Sequence, residues 1–224
     1  MRRRFARALH RVRTRIWLRR RYHRLVLEHI GDLPLVVLPQ VFNPALLRSG
    51  ELLVRQLGRR DLLKPRSRVL DLGSGSGAGA VAAARVGCAV VAVDINPDAV
   101  RCTRINALLN RVDTHVDARE GDLFGPVTGE RFDVVLFNPP YYRGRPRDNL
   151  DHAWRSPDVV ERFAAGLDGH LAPEGHALLV LSSDGQPNNF LSALDAGGFR
   201  SQVVAERDFL NERMWVYQVA RRRC

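Results

Sequence analysis

The chain has 224 residues, of which 35 are Lys or Arg and 24 are Asp or Glu, for a formal net charge of +11. Residues 1–24 contain eleven arginines and no acidic residue, which leaves 24 basic and 24 acidic residues in the rest of the chain. This distribution excludes a uniformly basic chain of the histone or ribosomal-protein type. A hydrophobic content of 45% excludes collagen-like repetition and low-complexity disorder, and it suffices for the core of one domain.

The first 30 residues predict a basic amphipathic helix. Phe5, Leu9, Val12 and Ile16 recur at helical spacing, and arginines occupy the other faces. Such a helix can dock on RNA, on the ribosome or on an anionic membrane surface through the arginines of Arg2–Arg24; a solvated arm without a partner is the alternative. We therefore divide the chain into residues 1–30 and a domain over residues 31–224.

Cysteine usage and hydropathy predict a cytoplasmic protein. Cys88, Cys102 and Cys224 are widely spaced, lack a C-x-x-C pair and indicate neither a disulfide framework nor a zinc site. No metal site is expected, since the histidines also lack ligand spacing. No segment approaches the ~20 apolar residues of a membrane span. The N-terminus lacks the apolar region of a secretory signal; a mitochondrial transit peptide is an alternative, although such peptides are usually rich in serine and residues 1–24 contain none.

Strands and helices alternate through the body. Helical periodicity is predicted over residues 45–57, 78–86, 97–109, 157–171 and 188–196, with Asn96 as an N-cap. Strands are predicted over residues 69–72, 89–95, 112–120, 132–137, 177–181, 201–206 and 214–220, the last two as a closing hairpin. This order predicts an α/β fold with a mostly parallel seven-stranded sheet, a terminal antiparallel β-hairpin and helices on both faces. In such sheets the ligand site lies beyond the carboxyl ends of the strands.

A glycine-rich loop follows the first of these strands, in the run Asp71-Leu72-Gly73-Ser74-Gly75-Ser76-Gly77. Glycines let the backbone turn sharply and approach a ligand. Nicotinamide and flavin proteins use such loops too, with a carboxylate about twenty residues on that binds ribose hydroxyls, here Asp94. Asp71 favours S-adenosylmethionine over a dinucleotide, because an anion suits its cationic methionine end better than a pyrophosphate. Asp122, after the third strand, is placed to bond an adenine amino group, with a plain turn as the alternative.

The second motif is Asn138-Pro139-Pro140-Tyr141, directly after the fourth strand. The tandem proline fixes φ and removes two backbone donors. The side-chain carbonyl of Asn138 and the backbone carbonyl of Pro139 can then jointly accept from a planar –NH₂ group, while Tyr141 offers a ring for a planar substrate. Acceptors on both N–H bonds aim the nitrogen lone pair and favour positive charge on nitrogen. The motif therefore predicts methyl transfer to a planar nitrogen.

With these motifs, residues 40–220 resemble the class I S-adenosylmethionine-dependent methyltransferases, which have a Rossmann-like fold. Within these the chain is most similar to the HemK-type protein-(glutamine-N5) methyltransferases that modify release factors, in their short eukaryotic and archaeal branch. Val41-Phe42-Asn43-Pro44-Ala45 resembles the opening motif of that branch, and Ala153-Trp154 with Val160-Glu161-Arg162-Phe163 resembles its region after the catalytic loop.

The resemblance implies a glutamine amide held by Asn138 and Pro139, a translation factor as the protein substrate, and a small activating partner, which the eukaryotic branch uses. The residues expected to bind S-adenosylmethionine are Asp71, Gly73, Ser74, Gly75, Gly77, Asp94, Ile95, Asp122, Leu123 and Asn138. The residues expected to be catalytic are Asn138, Pro139, Pro140 and Tyr141.

One departure and three alternatives remain at this stage. The segment Leu46-Leu47-Arg48-Ser49-Gly50 lacks the acid that the branch has before its threonine, so the cofactor edge or the substrate lid is expected to differ. Adenine-N6 methyltransferases acting on nucleic acid share Asn-Pro-Pro-Tyr, since their target is also a planar amine, and a metabolite amine is equally compatible. A non-catalytic binding module is the third alternative, against which the intact motifs argue.

Overall fold

The computed structural model describes residues 23–46, 48–209 and 212–222. In chain order its elements are β1 (Val26–Ile30), β2 (Leu33–Val37), α1 (Ser49–Val54), β3 (Arg68–Leu72), α2 (Ala78–Arg85), β4 (Ala89–Asp94), α3 (Pro97–Leu109), β5 (Val116–Glu120), β6 (Phe132–Phe137), β7 (Tyr142–Arg143), β8 (Arg155–Ser156), α4 (Val159–His170), β9 (Leu171–Ser182), α5 (Pro187–Ala196), β10 (Phe199–Phe209) and β11 (Glu212–Arg221). Short 3₁₀ helices cover Asp113–His115, Gly125–Val127 and Asp151–Ala153. No helix among these residues is both long and apolar enough to cross a membrane.

Seven strands form one sheet in the order β10-β11-β9-β6-β3-β4-β5. Neighbouring strands from β9 to β5 pair in parallel, and β11 pairs antiparallel with both β9 and β10. The predicted fold class is therefore confirmed, including the closing hairpin. The second strand of that hairpin, β11, lies next to β9, and the first strand, β10, forms the edge of the sheet.

Two apolar layers cover the sheet, because alternate strand residues point to opposite faces. Val69 and Val134 belong to the core that α1, α2 and α3 cover, whereas Leu70 and Val135 belong to the core that α4 and α5 cover. All four side chains are at most 2% exposed. The continuous apolar strands of the sequence thus reflect burial on both faces.

The N-terminal prediction needs correction over its last residues. Val26–Ile30 forms a strand, not a helix, and pairs antiparallel with β2 across a two-residue turn at Gly31 and Asp32. Gly31 has φ +61°, and a glycine-led two-residue turn is a hairpin signal that outweighs the weak helical period there. The predicted boundary at residue 30 therefore falls inside a hairpin. The predicted helix over residues 1–22 lies outside the described residues.

Other element bounds differ in detail. The helical stretch expected over residues 45–57 is only the short α1, and a 3₁₀ helix precedes β5 where a longer strand was expected. β9 is longer than predicted. The N-cap prediction is confirmed, since Asn96 Oδ1 accepts from the Asp98 N–H at 3.0 Å.

Candidate active site

The loops that carry the motifs meet because their strands are neighbours in register. Leu72 at the end of β3 pairs with Phe137 at the end of β6 and with Val93 near the end of β4. The glycine loop and Asn138 therefore begin side by side. The Gly121 N–H donates to the Asp94 carbonyl at 2.9 Å, which joins the loop after β5 to the end of β4.

A cavity of about 370 Å³ opens at this edge of the sheet. Its walls come from the segment before α1, the four loops after β3 to β6, the loop between β7 and β8, and the start of α4. Of the predicted site residues, it is lined by Gly73, Gly75, Asp94, Ile95, Asp122, Leu123, Asn138 and Pro140. The residues Asp71, Ser74, Gly77, Pro139 and Tyr141 are not on its wall.

Gly73 and Gly75 form the turn that closes the cavity at the end of β3. Their φ values are +63° and +54°, a region that favours glycine. The Gly75 N–H donates to Asp94 Oδ2 at 2.8 Å, and a Cβ on Gly75 would lie 3.4 Å from Phe42 Cβ. The loop is thus held between Asp94 on one side and Phe42 on the other.

Ser74 and Gly77 join the same loop to α3 behind the wall. The hydroxyls of Ser74 and Thr103 lie 3.2 Å apart in the buried interior. A Cβ on Gly77, which has φ +79°, would lie 2.8 Å from Thr103 Cα. These two residues set the distance between loop and helix, and neither faces the cavity.

The structure places Asp71 beneath the glycine loop. Its Oδ2 accepts from the Ala80 N–H of α2 at 2.8 Å, and its side chain is 5% exposed. Burial raises the pKa of Asp71 to about 7, although the Ala80 hydrogen bond opposes this and nearby Asp94 reinforces it. Asp71 therefore supports the loop from below. Because it does not line the cavity, the predicted contact between Asp71 and the cationic end of the cofactor is not seen in this geometry.

Asp94 combines a structural and a ligand-facing role. Its two oxygens accept from the N–H groups of Gly75 and Asn96, at 2.8 and 2.9 Å. Burial raises its pKa, while these hydrogen bonds and nearby His152 oppose that shift. Each oxygen has a further lone pair that can accept from a ribose hydroxyl. Ile95, which is 40% exposed on the same wall, offers an apolar surface to a flat base.

Asp122 is engaged by an arginine that sequence reasoning did not assign. Arg162 of α4 donates to Asp122 Oδ2 at 2.5 Å and to Asp158 Oδ1 at 3.0 Å. Both Arg162 and Asp122 line the cavity and are partly exposed. Next to them Leu123 has φ +47°, a conformation that L residues rarely adopt. An adenine amino group at Asp122 would share that carboxylate with Arg162.

Asn138 is the polar centre of the opposite wall. Its Nδ2 donates to Ser49 Oγ at 3.1 Å, and its Oδ1 accepts from the Tyr141 hydroxyl at 2.9 Å. Tyr141 lies behind Asn138 and lines a second cavity, of about 120 Å³, which shares Pro140 with the first. The ring of Tyr141 therefore does not present a face to the main cavity. Its hydroxyl instead orients the amide that does.

Sequence reasoning missed Phe42, Ser49 and Arg162 as site residues. Phe42 lines the cavity and packs against Trp154 with ring centroids 6.3 Å apart. Ser49 lies in the segment that departs from the family pattern. Each contacts a motif far away in sequence, so no local spacing could reveal it.

Comparisons with known proteins show what this chain is similar to. An archaeal protein from Methanocaldococcus jannaschii, assigned as a protein N5-glutamine methyltransferase, is 30% identical over 185 residues, which span 79% of this chain and 89% of that protein. The release factor glutamine methyltransferase of Aquifex aeolicus is 41% identical over 130 residues, 51% of this chain and 40% of that protein. The chain thus spans nearly all of the archaeal relative and under half of the bacterial one.

Solved structures show the same fold. E. cuniculi Mtq2, in its complex with Trm112, superimposes with a TM-score of 0.60 at 23% identity, covering 82% of this chain and 99% of that one. The ribosomal protein L11 methylase of Lactobacillus delbrueckii subsp. bulgaricus gives a TM-score of 0.60 at 21% identity, covering 79% and 80%. Residues 32–206 match the family described as the methyltransferase small domain. The chain is a methyltransferase that belongs to this family.

Proposed function

We propose that this methyltransferase uses S-adenosylmethionine to methylate the side-chain amide nitrogen of a glutamine in a protein. The observation that carries the proposal is the position of the Asn138 amide. Its nitrogen and its oxygen are both hydrogen-bonded, and it lines the same cavity as the glycine loop. The similarity to protein N5-glutamine methyltransferases supports the same acceptor.

The cavity suits this cofactor in size and chemistry. About 370 Å³ lies within the range of small-molecule sites. Asp94 offers acceptors to a ribose, Ile95 an apolar surface to a base, and Asp122 an acceptor to its amino group. When bound, S-adenosylmethionine supplies an electrophilic methyl group on a sulfonium. Gly73 and Gly75 leave the loop without side chains on the side where such a ligand would lie.

The acceptor side depends on Asn138 and Pro139. Asn138 Oδ1 uses one lone pair for the Tyr141 hydroxyl, so its second can accept an N–H of the substrate amide. We propose that the backbone carbonyl of Pro139 accepts the other N–H. Both acceptors favour the positive charge that develops on nitrogen as the C–N bond forms and the methyl–sulfur bond breaks, and the surplus N–H proton then passes to solvent. Phe42 and the loop between β7 and β8 line the same cavity and add apolar surface beside Asn138.

The proposal extends to the acceptor protein, a partner subunit and the N-terminal arginines. We propose that the acceptor is a translation factor in the cytoplasm, because the A. aeolicus relative is a release factor glutamine methyltransferase. A small partner subunit belongs to this proposal too, by analogy with the Mtq2–Trm112 complex. We further propose that the arginines of residues 2–24 hold the enzyme near RNA or the ribosome.

Replacing Asn138 with alanine tests the assigned chemistry. We expect the Asn138→Ala variant to lose at least about 100-fold in the rate of methyl transfer to lysate protein, since oriented acceptors act mainly in the transition state. Cofactor affinity, measured by calorimetry, should change by no more than roughly threefold, because Asp94 and the glycine loop remain.

The matched control is Asn189→Ala, which removes an exposed asparagine of α5 whose amide contacts only Gln186 among the hydrogen bonds in the described part of the chain. This variant should transfer methyl groups at the wild-type rate. An Asn138→Ala variant that keeps full activity, or that loses cofactor binding and activity together, would contradict the role given to Asn138.

A further inference from the structure

Arg48, directly before α1, has a backbone conformation that needs an explanation. Its φ is +51° and its ψ is −34°, although it is not a glycine, and its side chain makes no capping hydrogen bond. Arginine is a poor residue for the N-cap position, and a non-glycine residue with positive φ is strained. The surrounding structure must therefore hold this turn in place.

Contacts on both sides of the turn hold it. The Arg48 guanidinium lies 4.4 Å from the centroid of the Phe209 ring, at the tip of the terminal hairpin. On the other side Gly50 packs so tightly on Pro44 that a Cβ there would lie 2.5 Å from Pro44 Cβ. Asn43 fixes the start of the segment by accepting from the N–H groups of Ala45 and Leu46. The residue between Arg48 and Gly50 is thus placed with little freedom.

That residue is Ser49, which is 2% exposed and whose hydroxyl accepts from Asn138 Nδ2 at 3.1 Å. Tyr141 donates to the other end of the same amide at 2.9 Å. Burial raises the pKa of the Tyr141 phenol, and the Ser49 hydroxyl opposes that shift. The Asn138 amide is therefore held at both ends, by Ser49 at its nitrogen and by Tyr141 at its oxygen.

We propose that Ser49 is a positioning residue for methyl transfer: it fixes the plane of the Asn138 amide, and the strained turn at Arg48 delivers it there. The inference rests on the proposed role of Asn138. Ser49 touches neither the substrate nor the cofactor, because it is 2% exposed and its hydroxyl is engaged by Asn138. An amide free to rotate about its terminal bond would present its oxygen to the substrate in only a fraction of its orientations.

The test compares Ser49→Ala with an alanine variant of a second buried serine, whose hydroxyl bonds residues other than Asn138. Ser182 is 1% exposed, bonds Glu212 and accepts from the Asp184 N–H at 3.0 Å, so Ser182→Ala also removes a buried hydroxyl. Both variants should lower the melting temperature. Only Ser49→Ala should lower the maximal rate of methyl transfer, by roughly 10- to 100-fold, with the KM for S-adenosylmethionine unchanged.

A spectroscopic measurement separates positioning from general destabilisation. In ¹⁵N-labelled protein the Asn138 side-chain amide signals are identified as those missing from Asn138→Ala. They should shift and broaden in Ser49→Ala and stay in place in Ser182→Ala. An unchanged maximal rate in Ser49→Ala, or a cofactor KM that rises as the rate falls, would overturn the inference. Full activity in Asn138→Ala would instead overturn the proposed role of Asn138, while the amide signals would still report whether Ser49 holds the amide.

Discussion

At the scale of single residues, some side chains of the candidate site line the cavity and others hold those side chains from behind. Asp94 and Asn138 line the cavity, whereas Asp71 and Tyr141 lie behind it and act through other groups. The two carboxylates of the first motif region thus have different environments. Asp71 is buried against one backbone N–H, and Asp94 accepts from two and faces the cavity.

Asp71 makes the stability of the fold depend on pH. Because its pKa is raised to about 7 in the folded state, the folded chain binds a proton that the unfolded chain releases above its ordinary value of 3.8. The contribution of Asp71 to stability is therefore present below about pH 4 and is lost as pH rises towards 7. A shift of this size corresponds to at most about 4 kcal/mol.

We expect Asp71→Asn to remove this dependence, because asparagine stays neutral and can still accept from the Ala80 N–H. Chemical denaturation at several pH values between 4 and 7 measures the free energy of unfolding. As pH rises, the free energy of unfolding of the variant should increase relative to that of the wild type. A difference that stays constant across this range would show that Asp71 is charged throughout.

At the scale of elements, the site depends on how closely the glycine loop approaches α3. Gly77 faces Thr103 at a separation that leaves no room for a side chain, and Ser74 bonds the same residue. Asn106 of α3 accepts from the Val36 N–H and donates to the carbonyls of Val36 and Ser76. α3 therefore joins the N-terminal hairpin to the glycine loop.

Substitution of Gly77 by alanine tests this packing. Gly129 is the matched control, because its φ of +81° is close to the +79° of Gly77 but no atom lies within 4 Å of a Cβ there. Both alanine variants carry the same backbone strain. Gly77→Ala should be less stable than Gly129→Ala by roughly 1–3 kcal/mol in chemical denaturation, since it alone overpacks the interior. Equal losses would mean that the loop and α3 are not in close contact.

The sequence predicted those parts of the site that depend on neighbours in the chain. The glycine loop, the N-cap at Asn96 and the Asn138-Pro139-Pro140-Tyr141 turn all follow from local backbone chemistry. Contacts between distant segments could not be predicted, because Ser49 and Asn138 are 89 residues apart and Arg162 and Asp122 are 40 apart. The strand β1 is not predicted, because the helical spacing of Phe5 to Ile16 is extended to residue 30 without a turn assigned at Gly31.

At the scale of the whole molecule, charge and chemistry occupy different parts of the chain. The excess of +11 belongs to residues 1–24, and the remainder, which contains the cavity, is neutral in sum. We therefore propose that the positive charge serves docking of the enzyme and not the transfer of the methyl group.

Deleting residues 2–22 separates these two properties. The full chain should bind single-stranded RNA with an affinity that falls steeply with salt, with a slope of about −0.7 for each phosphate contact in a logarithmic plot. The deletion variant should lose most of this affinity and its salt dependence, measured by fluorescence anisotropy. Its rate of methyl transfer to protein should match that of the full chain; a large loss would place the segment in the catalytic machinery.

The central claim is that the methyl group goes to a side-chain amide of a protein. Lysate is incubated with the enzyme and methyl-labelled S-adenosylmethionine, and portions are treated with protease or with nuclease. The labelled material is then hydrolysed in strong acid. The Asn138→Ala variant measures the background. An N-methylated amide releases its nitrogen as methylamine on acid hydrolysis. We therefore predict that protease removes the label, that nuclease does not, and that acid releases it as volatile methylamine. The variant should give no such label. Label that is removed by nuclease and stays on a base would contradict the account.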